Sequence, residues 1–194
     1  MLRIARREDV PDMLAIYTPY VLGSTATFEY EAPSLEEFYR RYDNFTQQFP
    51  WLIWEEGGVL GGYAYASAPY SRPAYAWCAE PTVYLRPDFQ GEGVGTRLYR
   101  ALEAILKKQG YQLIYALVCQ ENEVSRHFHE SLGYEKRAFF PNCGYKFGRW
   151  MGLYWMEKRL LEVKTPNGFP DSWLSIVQNA ESWGDFLDDL SLSQ

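Results

Sequence analysis

The residues best suited to chemistry stand mid-chain, where an apolar strand pattern leads into a glycine-rich turn and then into a helix pattern. The stretch is Thr82-Val-Tyr-Leu-Arg-Pro-Asp-Phe-Gln-Gly-Glu-Gly-Val-Gly-Thr96. Glycines at the start of a helix expose backbone N–H groups that have no partner, and no Cβ holds an anion away from them. We therefore expect the loop from Gln90 to Thr96 to bind a phosphate or pyrophosphate.

Three kinds of glycine loop bind phosphates in this way, and two of them fit poorly. A Walker loop ends in Gly-Lys followed by Ser or Thr, whereas this turn ends in Gly95-Thr96-Arg97 and has no lysine. A Rossmann fingerprint is Gly-x-Gly-x-x-Gly near the first strand, followed about twenty positions later by an acidic residue, and this loop has neither feature. The remaining pattern is Gln90-x-x-Gly93-x-Gly95 after an apolar strand. A tight turn without a ligand is the alternative.

A polar stripe follows on the next helix pattern. Asn122, Ser125 and His129 are spaced i, i+3 and i+7, which puts them on one face of the helix. His127 is two positions from His129 and is expected to lie on the opposite, surface side. The stripe makes His129 a candidate for proton transfer, and a hydrogen-bonded helix histidine without a catalytic role is the alternative.

Glu80 is an acid within a largely apolar strand pattern from Tyr75 to Leu85. A carboxylate in such a strand is costly unless it is paired or used, so Glu80 is a candidate general base. Pro81 follows directly, and its missing N–H predicts a bulge that interrupts strand pairing. An exposed carboxylate on an edge strand is the alternative.

Hydrophobic periodicity and capping residues predict a mixed α/β fold, with an α+β sheet around these residues. Ser34 and Glu37 have the spacing of a helix capping box, and Gly110 stands where an amphipathic helix should end. The predicted helices are Glu8 to Tyr20, Ser34 to about Gln48, Gly93 to Gln109 and Glu123 to Ser131. The predicted strands are Leu2 to Ala5, Trp51 to Glu56, Val59 to Tyr70, Tyr75 to Leu85, Gln112 to Cys119, Tyr134 to Phe140 and Arg149 to Arg159.

The length of 194 residues predicts one domain, residues 1–160, followed by an acidic C-terminal extension, residues 161–194. The extension carries Trp173 and Trp183 in two short helix patterns. We expect it to pack on the domain through these tryptophans, with a flexible tail as the alternative.

Composition limits the class of partner. The net charge is −6, so no basic surface is expected to attract nucleic acid or anionic lipid. No apolar run is long enough to cross a membrane and no signal-peptide pattern starts the chain, so we expect a soluble cytoplasmic protein. The three cysteines and two histidines lack the spacing of a zinc site, so we expect no metal and reduced thiols at Cys78, Cys119 and Cys143.

Several short motifs resemble, in order, the phosphinothricin N-acetyltransferases, a subfamily of the GCN5-related (GNAT) acetyltransferases. The resemblance covers residues 1 to about 159. The most specific motif is Arg126-x-x-His129-Glu-x-Leu-Gly-Tyr134, since many other GNAT proteins have a tyrosine in place of this histidine. The other motifs are Ser24-Thr-Ala-Thr-Phe-Glu29, Pro50-Trp-Leu52, Gly61-Gly-Tyr-Ala-Tyr65, Glu80-Pro-Thr-Val-Tyr84, Gln90 to Gly95 and Gly144-Tyr-Lys146.

The resemblance implies a GNAT acyl-CoA N-acyltransferase fold with a central, mostly antiparallel sheet, acetyl-CoA as cosubstrate, a small amine acceptor and a homodimer. It implies Glu80 and His129 as catalytic bases and Phe28 and Arg72 as substrate-binding residues, because an arginine fork suits a carboxylate or phosphinate. The implied coenzyme-binding residues are Thr82, Val83, Tyr84 and Leu85 for the pantetheine arm, Gln90, Gly91, Glu92, Gly93, Val94, Gly95 and Thr96 for the pyrophosphate, and Asn122 and Ser125 near the end of the arm.

The sequence departs from this subfamily near the implied substrate site. Tyr70 stands where related enzymes commonly have a lysine, and Phe147 and Met151 stand where they have histidines. The lost positive charge predicts that phosphinothricin itself is a poor substrate and that a sulfone-like or polar amino acid is preferred. Acetylation of protein N-termini, lysines or polyamines is the enzymatic alternative. The non-enzymatic alternative is an acyl-CoA sensor that binds the coenzyme without catalysing a reaction.

Overall fold

A computed structural model of the chain describes residues 1–178, which form a seven-stranded sheet with helices packed on both faces. The strands are β1 Leu2–Ile4, β2 Trp51–Glu56, β3 Val59–Ser67, β4 Cys78–Leu85, β5 Leu113–Cys119, β6 Glu135–Lys146 and β7 Arg149–Arg159. The helices are α1 Val10–Gly23, α2 Leu35–Phe45, α3 Val94–Gln109, α4 Glu123–Ser131 and α5 Trp173–Gln178. None of these helices is long and apolar enough to cross a membrane.

The sheet order is β1-β2-β3-β4-β5-β7-β6. All neighbouring strands are antiparallel except β4 and β5, which are parallel. The predicted mixed, mostly antiparallel sheet is therefore confirmed.

The glycine and cap signals set the helix ends as expected. Gly93 and Gly110 flank α3 in the left-handed conformation, with φ of 77° and 98°. Ser34 Oγ accepts a hydrogen bond from the Glu37 N–H at 3.1 Å, so it is the N-cap of α2. The Glu37 carboxylate pairs with arginines of its own helix, and α2 ends at Phe45, earlier than predicted.

Side chains alternate between the two faces of the sheet, and each face has its own core. On β3, Ala64 and Ala66 pack in the core that contains α3. Tyr63 of β3 and Tyr84 of β4 pack in the core that contains α1 and α2. Successive strand residues point to opposite faces, so along β4 and along residues 62–67 of β3 the odd or even number of a residue tells which core its side chain joins.

The sheet opens between β4 and β5. These two strands pair only at Cys78↔Leu113 and Ala79↔Ile114, whereas β5 stays paired with β7 as far as Cys119↔Leu153. Within residues 1–178, β4 therefore pairs with β3 alone from Glu80 onward. The result is a wedge-shaped opening with one free edge of β4 along its side.

The interruption of pairing predicted at Pro81 is present on the β5 side, where the β4–β5 ladder ends at Ala79↔Ile114, but the bulge predicted there is wrong. The β3–β4 register continues without a shift from Gly62↔Leu85 through Ala66↔Pro81 to Ser67↔Glu80. The proline is tolerated because β5 has already separated from β4 there, and a strand edge without a partner needs no N–H donor.

The segment after β7 packs against the domain. Trp173 is 8% exposed, and its Nε1–H donates to the Thr46 carbonyl at 2.8 Å. The Asp171 N–H donates to the Gln109 carbonyl at the end of α3, also at 2.8 Å. Trp183 lies outside the described residues.

Candidate functional site

The loop before α3 has the geometry of an anion site. Gly91 and Gly93 have φ of 82° and 77°, a conformation that other residues rarely adopt. A Cβ added at either glycine would meet no atom within 4 Å, so the space beside them is open. No side chain among residues 1–178 caps the start of α3. The first-turn N–H groups, including those of Val94, Gly95 and Thr96, are therefore available to a pyrophosphate.

The alternation of hydrogen bonds along β3 and β4 tells which backbone groups face the opening. The Arg86 N–H donates to the Gly61 carbonyl at 2.9 Å, which fixes the phase of the ladder. In an antiparallel pair, every second residue turns its N–H and C=O away from the partner strand. On β4 these residues are Pro81, Val83 and Leu85, whereas the N–H and C=O groups of Thr82 and Tyr84 bond to β3.

At two of these three residues, a tyrosine hydroxyl from a helix already contacts the outward-facing backbone groups. The Tyr99 hydroxyl donates to the Pro81 carbonyl at 3.0 Å. The Tyr20 hydroxyl donates to the Leu85 carbonyl at 2.6 Å and lies 3.3 Å from the Leu85 N–H. Among residues 1–178, Val83 is left with an N–H and a C=O that have no partner, at the centre of the opening. A linear amide-containing ligand is best held there.

Tyr20 is a site residue that the sequence analysis missed. Its hydroxyl also accepts a hydrogen bond from Gln90 Nε2 at 3.0 Å, so it ties the first residue of the glycine loop to the end of β4. Tyr20 lies on α1, 65 positions before Leu85. The sequence gives no local signal for a contact of this kind.

Glu80 lies at the narrow end of the opening. It has the same parity as Thr82 and Tyr84, so its side chain points to the α1/α2 face beside Ser67, its partner on β3. The side chain is half-buried, and burial raises the pKa of its carboxyl. Among residues 1–178 the carboxylate has no hydrogen bond or ion pair. An unpaired carboxylate with a raised pKa suits a general base.

His129 is brought to β4 from the other side, through Tyr99. The imidazole is 7% exposed. Its Nδ1 lies 2.7 Å from the Ser125 carbonyl, and its Nε2 lies 3.0 Å from the Tyr99 hydroxyl. A carbonyl only accepts, so Nδ1 carries the proton and the Nε2 lone pair faces Tyr99. Burial lowers the pKa of His129 to about 4, so the ring is neutral at physiological pH.

The predicted stripe on α4 is present. Asn122 is the N-cap of α4, and its Oδ1 accepts from the Ser125 N–H at 3.1 Å. Ser125 Oγ lies 3.3 Å from Nδ1 of His129. His127 is exposed. The three stripe residues are thus joined to one another, and Tyr99 is the link between the stripe and β4 that the sequence did not reveal.

Phe28 is held in place by residues of β6. Its ring lies against Gly144, where any Cβ would collide with it. The buried Lys146 Nζ donates to the carbonyls of Val21, Ser24 and Thr27, at 2.7, 2.9 and 2.8 Å. These three hydrogen bonds fix the segment that leads to Phe28. In the motif Gly144-Tyr-Lys146, Gly144 therefore leaves room for the Phe28 ring, and Lys146 fixes the segment before it.

Arg72 is exposed and lies on the loop from Ser67 to Cys78, at the same end of the β3–β4 ladder as Glu80. It makes no ion pair with residues 1–178. Tyr70 of the same loop packs on Tyr75 and Trp155, with ring centroids at 4.4 and 6.1 Å. Phe28 thus lies beside β6, whereas Arg72 lies on the loop that joins β3 to β4.

Neither a metal nor a cysteine nucleophile is indicated. Residues 1–178 contain no group of three or more His, Cys, Asp or Glu side chains that could hold a metal ion. Burial raises the pKa of the Cys78 thiol, which keeps it in the unreactive protonated form. Cys119 is buried beside Met151.

Comparison with known proteins agrees with this geometry. The acetyltransferase (GNAT) domain matches residues 2–155 of the chain. The chain belongs to the GNAT acetyltransferase family. The free β4 edge and the uncapped start of α3 are therefore parts of a GNAT domain.

Two curated GNAT relatives and one solved structure are similar over most of the chain. The phosphinothricin N-acetyltransferase of Streptomyces viridochromogenes is 32% identical over 85% of this chain and 90% of the relative. The L-methionine sulfoximine/L-methionine sulfone acetyltransferase of Salmonella typhimurium is 30% identical over 86% of this chain and 98% of the relative. The phosphinothricin acetyltransferase of Sinorhizobium meliloti, solved in complex with AcCoA, superposes on this chain with a TM-score of 0.83 and is 32% identical to it. The match covers 87% of this chain and 94% of the solved one.

We expect Gly93→Val to weaken acetyl-CoA binding by this GNAT protein about 10- to 100-fold, because each amide lost to a charged ligand costs that much. A β-branched residue is strained at a φ of 77°, so the first-turn amides are displaced. Isothermal titration calorimetry measures the change. Gly110→Val is the matched control, since it places the same strain at the other end of α3. Equal affinities of the two variants for acetyl-CoA would contradict the assignment of the binding site to this loop.

Proposed function

We propose that this protein transfers the acetyl group of acetyl-CoA directly to the primary amine of a small amino-acid-like substrate. The observation that carries the proposal is the unpaired, half-buried Glu80 carboxylate at the narrow end of the β4–β5 opening, whose pKa is raised by burial. It can accept a proton beside the free backbone of Val83. The names of the relatives, which include phosphinothricin and methionine sulfone acetyltransferases, support the same substrate class.

The residues around the opening fit a coenzyme with a diphosphate and an amide-containing arm. We assign the diphosphate to the backbone of Gln90, Gly91, Glu92, Gly93, Val94, Gly95 and Thr96. We assign the arm to the free edge of β4, with Val83 as its main contact between Thr82, Tyr84 and Leu85, and to Asn122 and Ser125 on α4. When bound, acetyl-CoA supplies an activated acetyl thioester.

The chain itself supplies proton transfer and charge stabilisation. A substrate ammonium must lose a proton before its nitrogen can attack a carbonyl, and Glu80 is the proposed acceptor of that proton. The Val83 N–H is the proposed donor to the carbonyl oxygen as negative charge develops on it. His129 is the second proposed proton acceptor; it is neutral and is linked to the strand through the Tyr99 hydroxyl, which lies 3.0 Å from both His129 Nε2 and the Pro81 carbonyl. No acyl-enzyme is needed.

Arg72 and Phe28 are the proposed substrate-binding residues. Arg72 has no ion pair among the described residues and can bind a carboxylate through two N–H groups. Tyr70 and Met151 bring no charge to this region, and Tyr70 is committed to an aromatic cluster. A second anionic group on the substrate therefore finds fewer cationic partners here, which favours sulfone-like over phosphinate side chains.

The proposed assembly is a cytoplasmic homodimer of a catalytic domain, residues 1–160, with an extension, residues 161–194. The edge strand β6 and its turn into β7 support a homodimer because they carry a run of exposed aromatic side chains. These side chains are Phe139, Phe140, Tyr145, Phe147 and Trp150.

An acceptor screen tests the proposed function. With acetyl-CoA as donor and thiol release as readout, we expect the highest kcat/KM for a free amino acid with a polar side chain. L-Methionine sulfone should exceed phosphinothricin, because the latter adds a negative charge. If spermine or a peptide N-terminus gave the highest value, acetylation of polyamines or proteins would replace this proposal. If the protein bound acetyl-CoA and no acceptor reacted, an acyl-CoA sensor would replace it.

A further inference from the structure

The segment after β7, residues 162–178, is fastened to the domain at several points, and we call it the C-terminal strap. It lies beyond the part of the chain that matches the GNAT domain. The N–H and C=O of Lys164 both bond to the side chain of Gln112, at 3.3 and 3.2 Å. Gln109 of α3 is 2% exposed, and its Nε2 donates to the Asp171 carbonyl at 2.8 Å. A buried side chain of the domain is thus committed to the strap.

Between these two attachments the strap contacts Trp77, the residue that precedes β4. The Trp77 Nε1–H donates to the Gly168 carbonyl at 3.0 Å. The indole also stacks on the ring of Phe169, with centroids 5.5 Å apart and an angle of 9° between the planes. The backbone of Trp77 is held separately, because its carbonyl accepts from the Gln112 N–H at 3.0 Å. The strap therefore fixes the side chain of Trp77 and with it the orientation of this residue.

Trp77 ends the loop that carries Arg72. Residues 71–75 of this loop are all exposed, so burial does little to fix their conformation. A single 3₁₀ turn, Pro73–Tyr75, joins the two ends, and the Tyr75 N–H donates to the Arg72 carbonyl at 3.0 Å. A hydrogen-bonded turn of this length transmits a displacement of one end to the other. The position of Arg72 therefore depends on how firmly Trp77 is held.

Glu80 does not depend on the strap in this way. It is paired with Ser67 in the β3–β4 ladder, so the sheet itself places its backbone. Arg72 lies outside the ladder and makes no ion pair with residues 1–178. Loosening the strap is therefore expected to affect the binding of an acceptor carboxylate and to leave proton transfer unchanged.

We propose that the C-terminal strap positions Arg72 for the carboxylate of the acceptor, through the stacking of Phe169 on Trp77. The inference rests on the proposed function and deepens it, because it gives the extension a role in the affinity for the acceptor. A loop that is already held in its binding conformation loses less conformational entropy when the substrate binds. Phe169 and Trp77 are thus positioning residues, which act through Arg72.

The test is Phe169→Ala, measured with acetyl-CoA and with L-methionine sulfone or the best amino acid of the acceptor screen. Phe169 is 68% exposed, so the variant keeps its core and should fold. We expect the KM for the acceptor to rise about 2- to 10-fold, the value of one stacked aromatic pair. The kcat and the affinity for acetyl-CoA should stay near their wild-type values. Phe169→Tyr keeps the stacked ring and should keep the wild-type KM.

Leu174→Ala is the matched control, because it removes another exposed apolar side chain of the strap, in α5 and away from Trp77. It should leave the KM for the acceptor unchanged. Arg72→Gln tests the route of the effect. It should raise this KM by itself, and the addition of Phe169→Ala should then raise it no further, because two residues that act through one contact are not additive.

The possible failures are distinguishable. An unchanged KM in Phe169→Ala, with or without a lower Tm, would make the strap a stabilising segment only and would leave the proposed function standing. An equal rise in KM in the wild-type and Arg72→Gln backgrounds would also overturn the inference. If Arg72→Gln by itself left the KM unchanged, the role of Arg72 and the inference would fall together. If the wild type acetylated no free amino acid, the proposed function would fall with them.

Discussion

Replacing Glu80 by glutamine is expected to lower kcat by about 10²- to 10⁴-fold, the contribution of a positioned general base. The amide has nearly the shape of the carboxylate but cannot accept the proton of the substrate ammonium. The affinity for acetyl-CoA should not change, because the proposed coenzyme contacts lie along β4 beyond Glu80 and at the start of α3. Steady-state kinetics with saturating acceptor, together with calorimetry for the coenzyme, measures both quantities.

The pH dependence separates a lost base from a damaged fold. Burial raises the pKa of the Glu80 carboxyl, so wild-type kcat should fall as the pH drops through that raised value. In Glu80→Gln this limb should vanish, and the rate should rise with pH as free amine forms in solution. The raised pKa also means that the charged carboxylate destabilises the folded state at neutral pH. The Tm of Glu80→Gln should therefore equal or exceed that of the wild type. Wild-type turnover in this variant at pH 7 would refute the assignment.

The parts of the site that could be predicted from the sequence depend on local signals. The bounds of α3 follow from Gly93 and Gly110, whose left-handed φ values few other residues adopt. The stripe of Asn122, Ser125 and His129 follows from helical spacing alone. In both cases the residues that determine the geometry lie within or next to one element. A short stretch of sequence is therefore enough to predict that geometry.

The parts that could not be predicted depend on contacts between distant segments. Tyr20 meets Leu85, and Tyr99 meets both Pro81 and His129, with 65, 18 and 30 positions between the partners. A tyrosine in a helix pattern gives no sign of which backbone group its hydroxyl will contact.

The error at Pro81 has a similar cause. The effect of the proline depends on whether a strand lies beside it, and β5 is more than thirty residues further along the chain. Without the sheet order, a missing N–H indicates a bulge. With the opening between β4 and β5, the same missing N–H faces a free edge and disturbs nothing.

Tyr99 illustrates why the role of His129 needs an experiment that goes beyond its removal. The hydroxyl of Tyr99 has one proton and two acceptors, the Pro81 carbonyl and Nε2 of His129, each at 3.0 Å. His129 therefore influences the strand that carries Glu80 whether or not it ever receives a proton from a substrate. Loss of activity in His129→Ala alone would fit both roles.

We expect His129→Asn and His129→Gln to lower kcat by about 10²-fold or more, and by similar factors, because neither amide can accept a proton. The asparagine amide can keep the hydrogen bond to the Ser125 carbonyl, and the glutamine oxygen can keep the one from Tyr99. Affinity for acetyl-CoA should stay near the wild-type value. Since the pKa of His129 is lowered from 6.5 to about 4, the unfolded chain binds more protons between these values. Wild-type stability should therefore decline as the pH falls through this window, and less so in either variant.

The two variants also separate catalysis from positioning. If His129→Gln kept most of the wild-type turnover while His129→Asn lost it, the imidazole would act by holding Tyr99 and β4, and Glu80 would be the only proton acceptor. Tyr99→Phe should then reproduce the loss, with Tyr134→Phe as its control, since the Tyr134 hydroxyl contacts Tyr99 at 3.4 Å without contacting β4. Equal losses of turnover in both His129 variants, with a smaller loss in Tyr99→Phe, would show that turnover requires a basic nitrogen at position 129.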